Sequence, residues 1–158
     1  MAYLSGDITE HFTWEEACIT QVRDLDNSIP LELLRNVKFT AQRMEAVRTL
    51  LLNNGIIINS WYRSPGVNER VGGSRTSQHM EGIAVDFISP KYGDPLTICQ
   101  KIIKYADLIN FDQLIYEHSW VHVSFIPIPD AVGRRQVLTL LNGGKYAQGL
   151  TRKDGVRL

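Results

Sequence analysis

Two histidines and an aspartate stand at spacings that suit a metal ion. His79 and Asp86 are seven residues apart in Ser77-Gln78-His79-Met80-Glu81-Gly82-Ile83-Ala84-Val85-Asp86. Gly82 lets the chain turn between them without a Cβ penalty, so an imidazole and a carboxylate can reach one point. A catalytic zinc keeps three protein ligands and one open position. His122 is the third candidate. In Trp120-Val121-His122-Val123-Ser124-Phe125, strand alternation puts Trp120, His122 and Ser124 on one face and Val121, Val123 and Phe125 on the other. The valines bury and His122 projects toward a cleft. Two neutral imidazoles and one carboxylate leave zinc with net positive charge, which acidifies water and polarises a carbonyl. That is the chemistry of hydrolysis.

Hydrolysis of this kind needs a general base beside the metal. Glu117, five residues before His122, is the candidate, and Glu81 in the ligand loop is a second. His118 is a candidate donor to the developing oxyanion. Arg63, in Trp61-Tyr62-Arg63-Ser64-Pro65, brings a guanidinium that can hold a substrate carboxylate in bidentate fashion. Ser77 and Gln78 can hydrogen-bond a bound peptide. Each residue alone has an ordinary structural reading: a satisfied histidine, an arginine in a surface pair, a solvated turn glutamate. In a chain with four histidines, their convergence outweighs those readings. His11 lies outside any ligand context and is assigned no role.

The elements that must position these residues are legible in part. Thr13 and Glu16 fit a capping box, with Phe12 as a staple, opening a short helix from Trp14 into the Ile19 region. Pro30 reads as the first turn of a long helix. Leu31, Leu34, Val37, Ala41, Met44, Val47 and Leu51 recur at helical spacing, and Asn53-Asn54-Gly55 stops it. Ile56-Ile57-Ile58 reads as a strand entering Ser60-Trp61. Residues 62–78 read as loop with one helical turn. Ala84 to Ile88 reads as a second strand, and Pro95 to Ala106 as a helix with Ile98, Ile102 and Ile103 on one face. Asp112 to Tyr116 and Trp120 to Phe125 read as a hairpin. Gln136 to Leu141 is a further strand, ended by Asn142-Gly143-Gly144. This order predicts an α+β fold with a central antiparallel sheet flanked by helices and the metal site at the sheet.

Length and composition bound the rest. The 158 residues suit one domain spanning 1–158, and 44% hydrophobic content supports a core. Seventeen Lys plus Arg balance seventeen Asp plus Glu, so nothing asks for nucleic acid as a partner. No apolar run reaches the ~18 residues of a membrane span. The first residues carry no basic and apolar signal pattern. The chain is therefore expected to be cytoplasmic when synthesised, with no membrane partner, and monomeric. Cys18 and Cys99 read as two buried thiols rather than a disulfide.

These residues resemble a known family, the zinc metallopeptidases that include D-alanyl-D-alanine carboxypeptidases and bacteriophage L-alanyl-D-glutamate endopeptidases. The family pattern Ser-x-His-x-x-Gly-x-Ala-x-Asp followed by Trp-x-His is met by Ser77 to Asp86 and by Trp120-Val121-His122. Tyr62-Arg63-Ser64-Pro65, Asn68, Val71-Gly72-Gly73-Ser74 and Phe12-Thr13-Trp14-Glu15-Glu16 are similar as well. The resemblance implies one zinc ion on His79, Asp86 and His122, with Arg63 on a substrate carboxylate and Ser77 near the substrate. It implies a peptidoglycan stem peptide as substrate, cut by a carboxypeptidase or an endopeptidase. Many members place the catalytic carboxylate three residues before the last histidine, where this chain has Ser119; Glu117 fits a subgroup with Glu-x-x-Trp-x-His. Without an export signal, such an enzyme is expected to act on the wall after release, as a phage lysis or virion-associated protein. Two other readings compete: a thiol peptidase using Cys18, and a catalytically inactive zinc-binding structural or wall-binding module.

Overall fold

The computed structural model describes residues 4–158. Helix α1 (Trp14–Ala17) opens on the expected capping box: Thr13 Oγ1 accepts from Glu16 N, and Glu16 returns the bond to Thr13 N. The helix is shorter than expected, ending at Cys18. Pro30 does not start an α-helix. It caps a single tight turn, Leu31–Leu33, which feeds α2 (Leu34–Leu50). Val37, Ala41, Met44, Val47 and Leu51 are all fully buried, as their spacing requires.

Six strands follow, interleaved with helices: β1 (Ile57–Ser60), α3 (Pro65–Arg70), β2 (Ala84–Ile88), α4 (Pro95–Lys104), α5 (Ala106–Ile109), β3 (Gln113–Tyr116), β4 (Val121–Ser124), β5 (Gln136–Leu140) and β6 (Tyr146–Gln148). The one helical turn expected among residues 62–78 is α3, capped by Ser64 with Pro65 at its start. The strands form one sheet in the order β1-β2-β4-β3-β5-β6. All neighbours are antiparallel except β3 and β5, which run parallel. The sheet is thus mixed within the α+β fold. After β4 the chain passes beneath β3 and re-enters on its far side. Arg135 N donates to Phe111 O and Gln136 N to Asp112 O. Gly133 sits so close that a Cβ would stand 2.1 Å from Phe111 O.

The two faces of the sheet have opposite character. Val85, Phe87, Leu114, Val121 and Val123 pack with α2 and α4, including Ile98 and Ile102, in one hydrophobic core. The opposite face carries a lateral row: Ser60 pairs with Asp86, Asp86 with His122, His122 with Ile115, and Ile115 with Leu138. Ser60 joins this row through a register shift after Ile58, since one extra strand residue re-aims those that follow. Among the described residues, no helix is long and apolar enough to cross a membrane.

The turn between His79 and Asp86 depends on one glycine. Gly82 has φ +73°, and a Cβ there would stand 2.8 Å from Val37 Cγ2 on α2. Gly82→Ala therefore combines left-handed strain with a clash, and it lowers unfolding stability by about 1–3 kcal/mol. Denaturant titration reads this directly. An unchanged midpoint would mean that the turn relaxes freely against α2.

Candidate metal centre

The ligand turn is fastened before any ligand is considered. Ser77 Oγ accepts from His79 N, and a single 3-10 turn covers Gln78–Glu81. The carbonyl of Gly82 accepts from Trp61 Nε1 and from Thr40 Oγ1, each at 3.0 Å. Asn36 Nδ2 donates to Glu81 O. The turn is therefore tied to α2 and to the chain leaving β1. His79 is fixed twice over: Arg63 N donates to its carbonyl, and its Nδ1 lies 2.6 Å from Trp61 O. A carbonyl only accepts, so Nδ1 carries the proton and Nε2 keeps the lone pair.

That lone pair faces Asp86. His79 Nε2 is 3.2 Å from Asp86 Oδ1, and His122 Nδ1 is 2.9 Å from the same oxygen. The rings of His79 and His122 stand edge to face, 5.1 Å between centroids. One potential ligand atom from each of the three residues lies within 4.8 Å of the other two, and all three residues are buried. Among the described residues, the buried His122 Nε2 has no hydrogen-bond partner. The environment also sets the charges. Burial holds the His79 imidazole below its usual pKa, against the pull of Asp86, and keeps it neutral. Burial alone would raise the Asp86 carboxyl, but the two imidazoles outweigh it and keep the acid ionised. A buried carboxylate facing the lone pair of the His79 imidazole, with a second imidazole against the same oxygen, is an arrangement that a cation would complete. Nitrogen and oxygen donors in this number suit zinc.

The second oxygen of Asp86 is held as well. Arg63 Nη2 donates to Asp86 Oδ2 at 3.0 Å, while Arg63 Nε donates to Ser60 Oγ. Part of the guanidinium expected to grip a substrate thus orients Asp86, and only its remaining edge reaches the cleft. That cleft has a volume of about 780 Å³ and is walled by His79, Asp86, His122, Glu117, Ser77 and Gln78, among others. Gln78 is anchored through Nε2 to Asp112 Oδ2.

Glu117 lies in the same cleft. Burial first, and the Asp86 charge second, push its carboxyl up to about 7, moderated by His122 and Arg63. A carboxyl poised there is matched to proton transfer at neutral pH. Three other candidates lie apart from this arrangement. His118 does not join the cleft: its φ of +64° turns the ring onto Tyr116, and Nε2 bonds Leu140 O. Glu81 is exposed and outside the cleft. Cys18 lies at the end of α1, its Sγ on Glu15 O and its thiol pushed up by burial, which is no environment for a nucleophile. His11 pairs with Glu45 away from the site.

Four contributors were not anticipated. Trp61 orients His79 and the ligand turn through its carbonyl and its indole. Arg134, Leu138 and Tyr146 wall the cleft from the last third of the chain. Trp61 follows a legible strand and had a local signal. The other three are brought in by strand pairing that no local pattern announces.

The raised carboxyl of Glu117 has a measurable consequence. Its folded pKa exceeds the usual 4.5, so its stability contribution is full at low pH and is lost as pH rises toward about 7. Glutamine mimics the protonated form. In metal-free protein, Glu117→Gln gains stability relative to the native chain over that window, by on the order of 1 kcal/mol after allowing for partial exposure. Unfolding curves at about pH 5 and about pH 8 test this; a difference that does not change with pH would place Glu117 in an ordinary solvated setting.

A family model described as Peptidase M15 matches residues 9–124, more than two thirds of the chain and all of the residues from Arg63 to His122. No curated protein matches the chain.

Proposed function

Because the chain belongs to the peptidase M15 family of zinc-dependent metallopeptidases, we propose that it hydrolyses a peptide bond in the stem peptide of bacterial peptidoglycan. The observation that carries this reading is the buried His79–Asp86–His122 triad opening onto the cleft that also holds Glu117. One zinc ion, held by those three side chains, would supply a Lewis acid for the scissile carbonyl. Glu117 takes a proton from the attacking water as the new C–O bond forms. It then delivers that proton to the amine nitrogen as the C–N bond breaks, so one group serves both halves of the reaction. Trp61 and Arg63 hold His79 and Asp86 in the geometry this requires.

Substrate selection falls to the cleft walls. The remaining edge of Arg63 contacts a substrate carboxylate, and Ser77 and Gln78 line the path of the peptide. The bond that is cut is a terminal D-Ala–D-Ala link or an internal L-Ala–D-Glu link. A phage lysis or virion-associated enzyme that meets the wall after release is the setting this reading favours. The competing reading, an inactive zinc module, leaves unexplained a carboxyl poised near 7 beside the triad.

Defined muropeptides with and without a chelator, read by mass, test the proposal. Cleavage should require metal, and alkylation of thiols should leave it intact. Glu117→Gln should keep bound zinc and lose about 10²–10⁴-fold in kcat. Asp86→Ala should lose the metal itself. Zinc-loaded protein that leaves every muropeptide whole would make the domain a binding module instead.

A further inference from the structure

The cleft extends beyond the triad to a second cation. Arg134 lies in the passage between β4 and β5 and lines the cleft wall while remaining 57% exposed at its side chain. It is held rigidly. Its Nε donates to Asp112 Oδ1 at 3.0 Å and its Nη2 to Asp112 Oδ2 at 2.9 Å. Asp112 is itself buried, and its Oδ2 also accepts from Gln78 Nε2 at 2.8 Å. One carboxylate therefore connects the guanidinium to the residue that precedes His79.

The fold does not need this guanidinium to fasten the loop. The backbone N–H groups of Arg134, Arg135 and Gln136 already bond to Asp112 Oδ1, Phe111 O and Asp112 O. Arg135, next in sequence, sends its side chain away to Asp107. Arg134 instead lines the cleft with its Nε and Nη2 donating to Asp112 and its side chain more than half exposed, so that Nη1 makes no bond to that carboxylate. A guanidinium clamped from behind presents its outer edge with little rotamer entropy left to lose. A planar pair of donors of this kind matches a carboxylate. Arg134 also lies beyond the residues that the family model matches.

We propose that Arg134, buttressed by Asp112 and Gln78, forms a carboxylate-binding subsite that selects the substrate peptide by an acidic group away from the scissile bond. This rests on the peptidase reading above and adds to it a specificity-determining residue separate from Arg63. The bond is non-covalent, so its effect falls on binding of the substrate rather than on proton transfer at Glu117.

The test uses the full zinc-loaded chain and a set of synthetic stem peptides in which each carboxyl in turn is free or amidated. For the native chain, amidation at one position should raise KM by about tenfold, the loss of a charge-assisted contact. Arg134→Gln keeps a hydrogen-bonding partner for Asp112. It should raise KM for the free-carboxyl peptide to the amidated level, keep kcat within about threefold, and leave zinc content unchanged. Arg134→Lys should recover part of the preference, since it restores charge without the fork. If Arg134→Gln retains the full preference, or if both peptides suffer alike, the Asp112 pair is only a loop fastening and the subsite is refuted. If the native chain cleaves every peptide with no carboxyl preference, the subsite is refuted while the peptidase reading stands. If the native chain with zinc bound cleaves none, the peptidase reading fails and takes the subsite with it.

Discussion

His79, His122 and Arg63 are all arranged around the carboxylate of Asp86. One oxygen stands within 3.2 Å of His79 Nε2 and within 2.9 Å of His122 Nδ1, and the other accepts from Arg63. A carboxylate this buried is costly to keep ionised without partners. It cannot be relieved by protonation here, because its neighbours hold it far below the usual range. The price of burial is met by surrounding it with nitrogen on every side. Each of those nitrogens is itself fixed: His79 by Trp61 O, His122 by its strand register, Arg63 by Ser60. The acid organises its ligand partners, and the fold organises the acid.

The sheet makes this possible through its two unlike faces. Val85 and Phe87 flank Asp86 in sequence and point into the core, where α2 and α4 cover them. Val121 and Val123 do the same for His122. Two apolar neighbours on one face thus hold each ligand on the other, and a one-residue slip would reverse both. The adjacent register of Asp86 and His122 fixes two of the three ligands relative to each other by backbone hydrogen bonds alone. His79 must then be delivered from outside the sheet, and that is the task of the turn held by Gly82, Trp61 and Thr40. A metal ion held by the triad would couple its own binding to the stability of this region.

How much of this was legible follows from how local each feature is. The capping box at Thr13, the apolar stripe of α2 and the hairpin alternation at Trp120 to Phe125 are written in neighbouring residues, and each is found in place. So is the ligand turn, whose glycine has the positive φ its position suggested. Where the sheet turns parallel, local pattern is silent. Nothing in Gln136 to Leu141 says whether that strand pairs with β4 or crosses under β3. The same crossing brings Arg134 and Tyr146 to the cleft, so both escaped notice. His118 stands next to Glu117 in sequence, but its left-handed backbone turns its ring away from the cleft, which nothing in the neighbouring residues announces. Arg63 was read as able to hold a substrate carboxylate or to pair at the surface, because sequence does not reveal that a cation must also steady a buried acid.

The division of labour between the two arginines follows from their burial. Arg63 is mostly buried and shares its donors with Ser60 and Asp86, so its charge is tied to the ionisation of the triad. Moving it would disturb the charges around the triad. Arg134 is half exposed, and its counter-charge is Asp112, a residue outside the triad. A change there leaves the charges around Asp86 as they are. The fold keeps the two guanidinium groups on separate carboxylates. The β4–β5 passage does this: it reaches the cleft by way of Asp112 and not by way of Asp86.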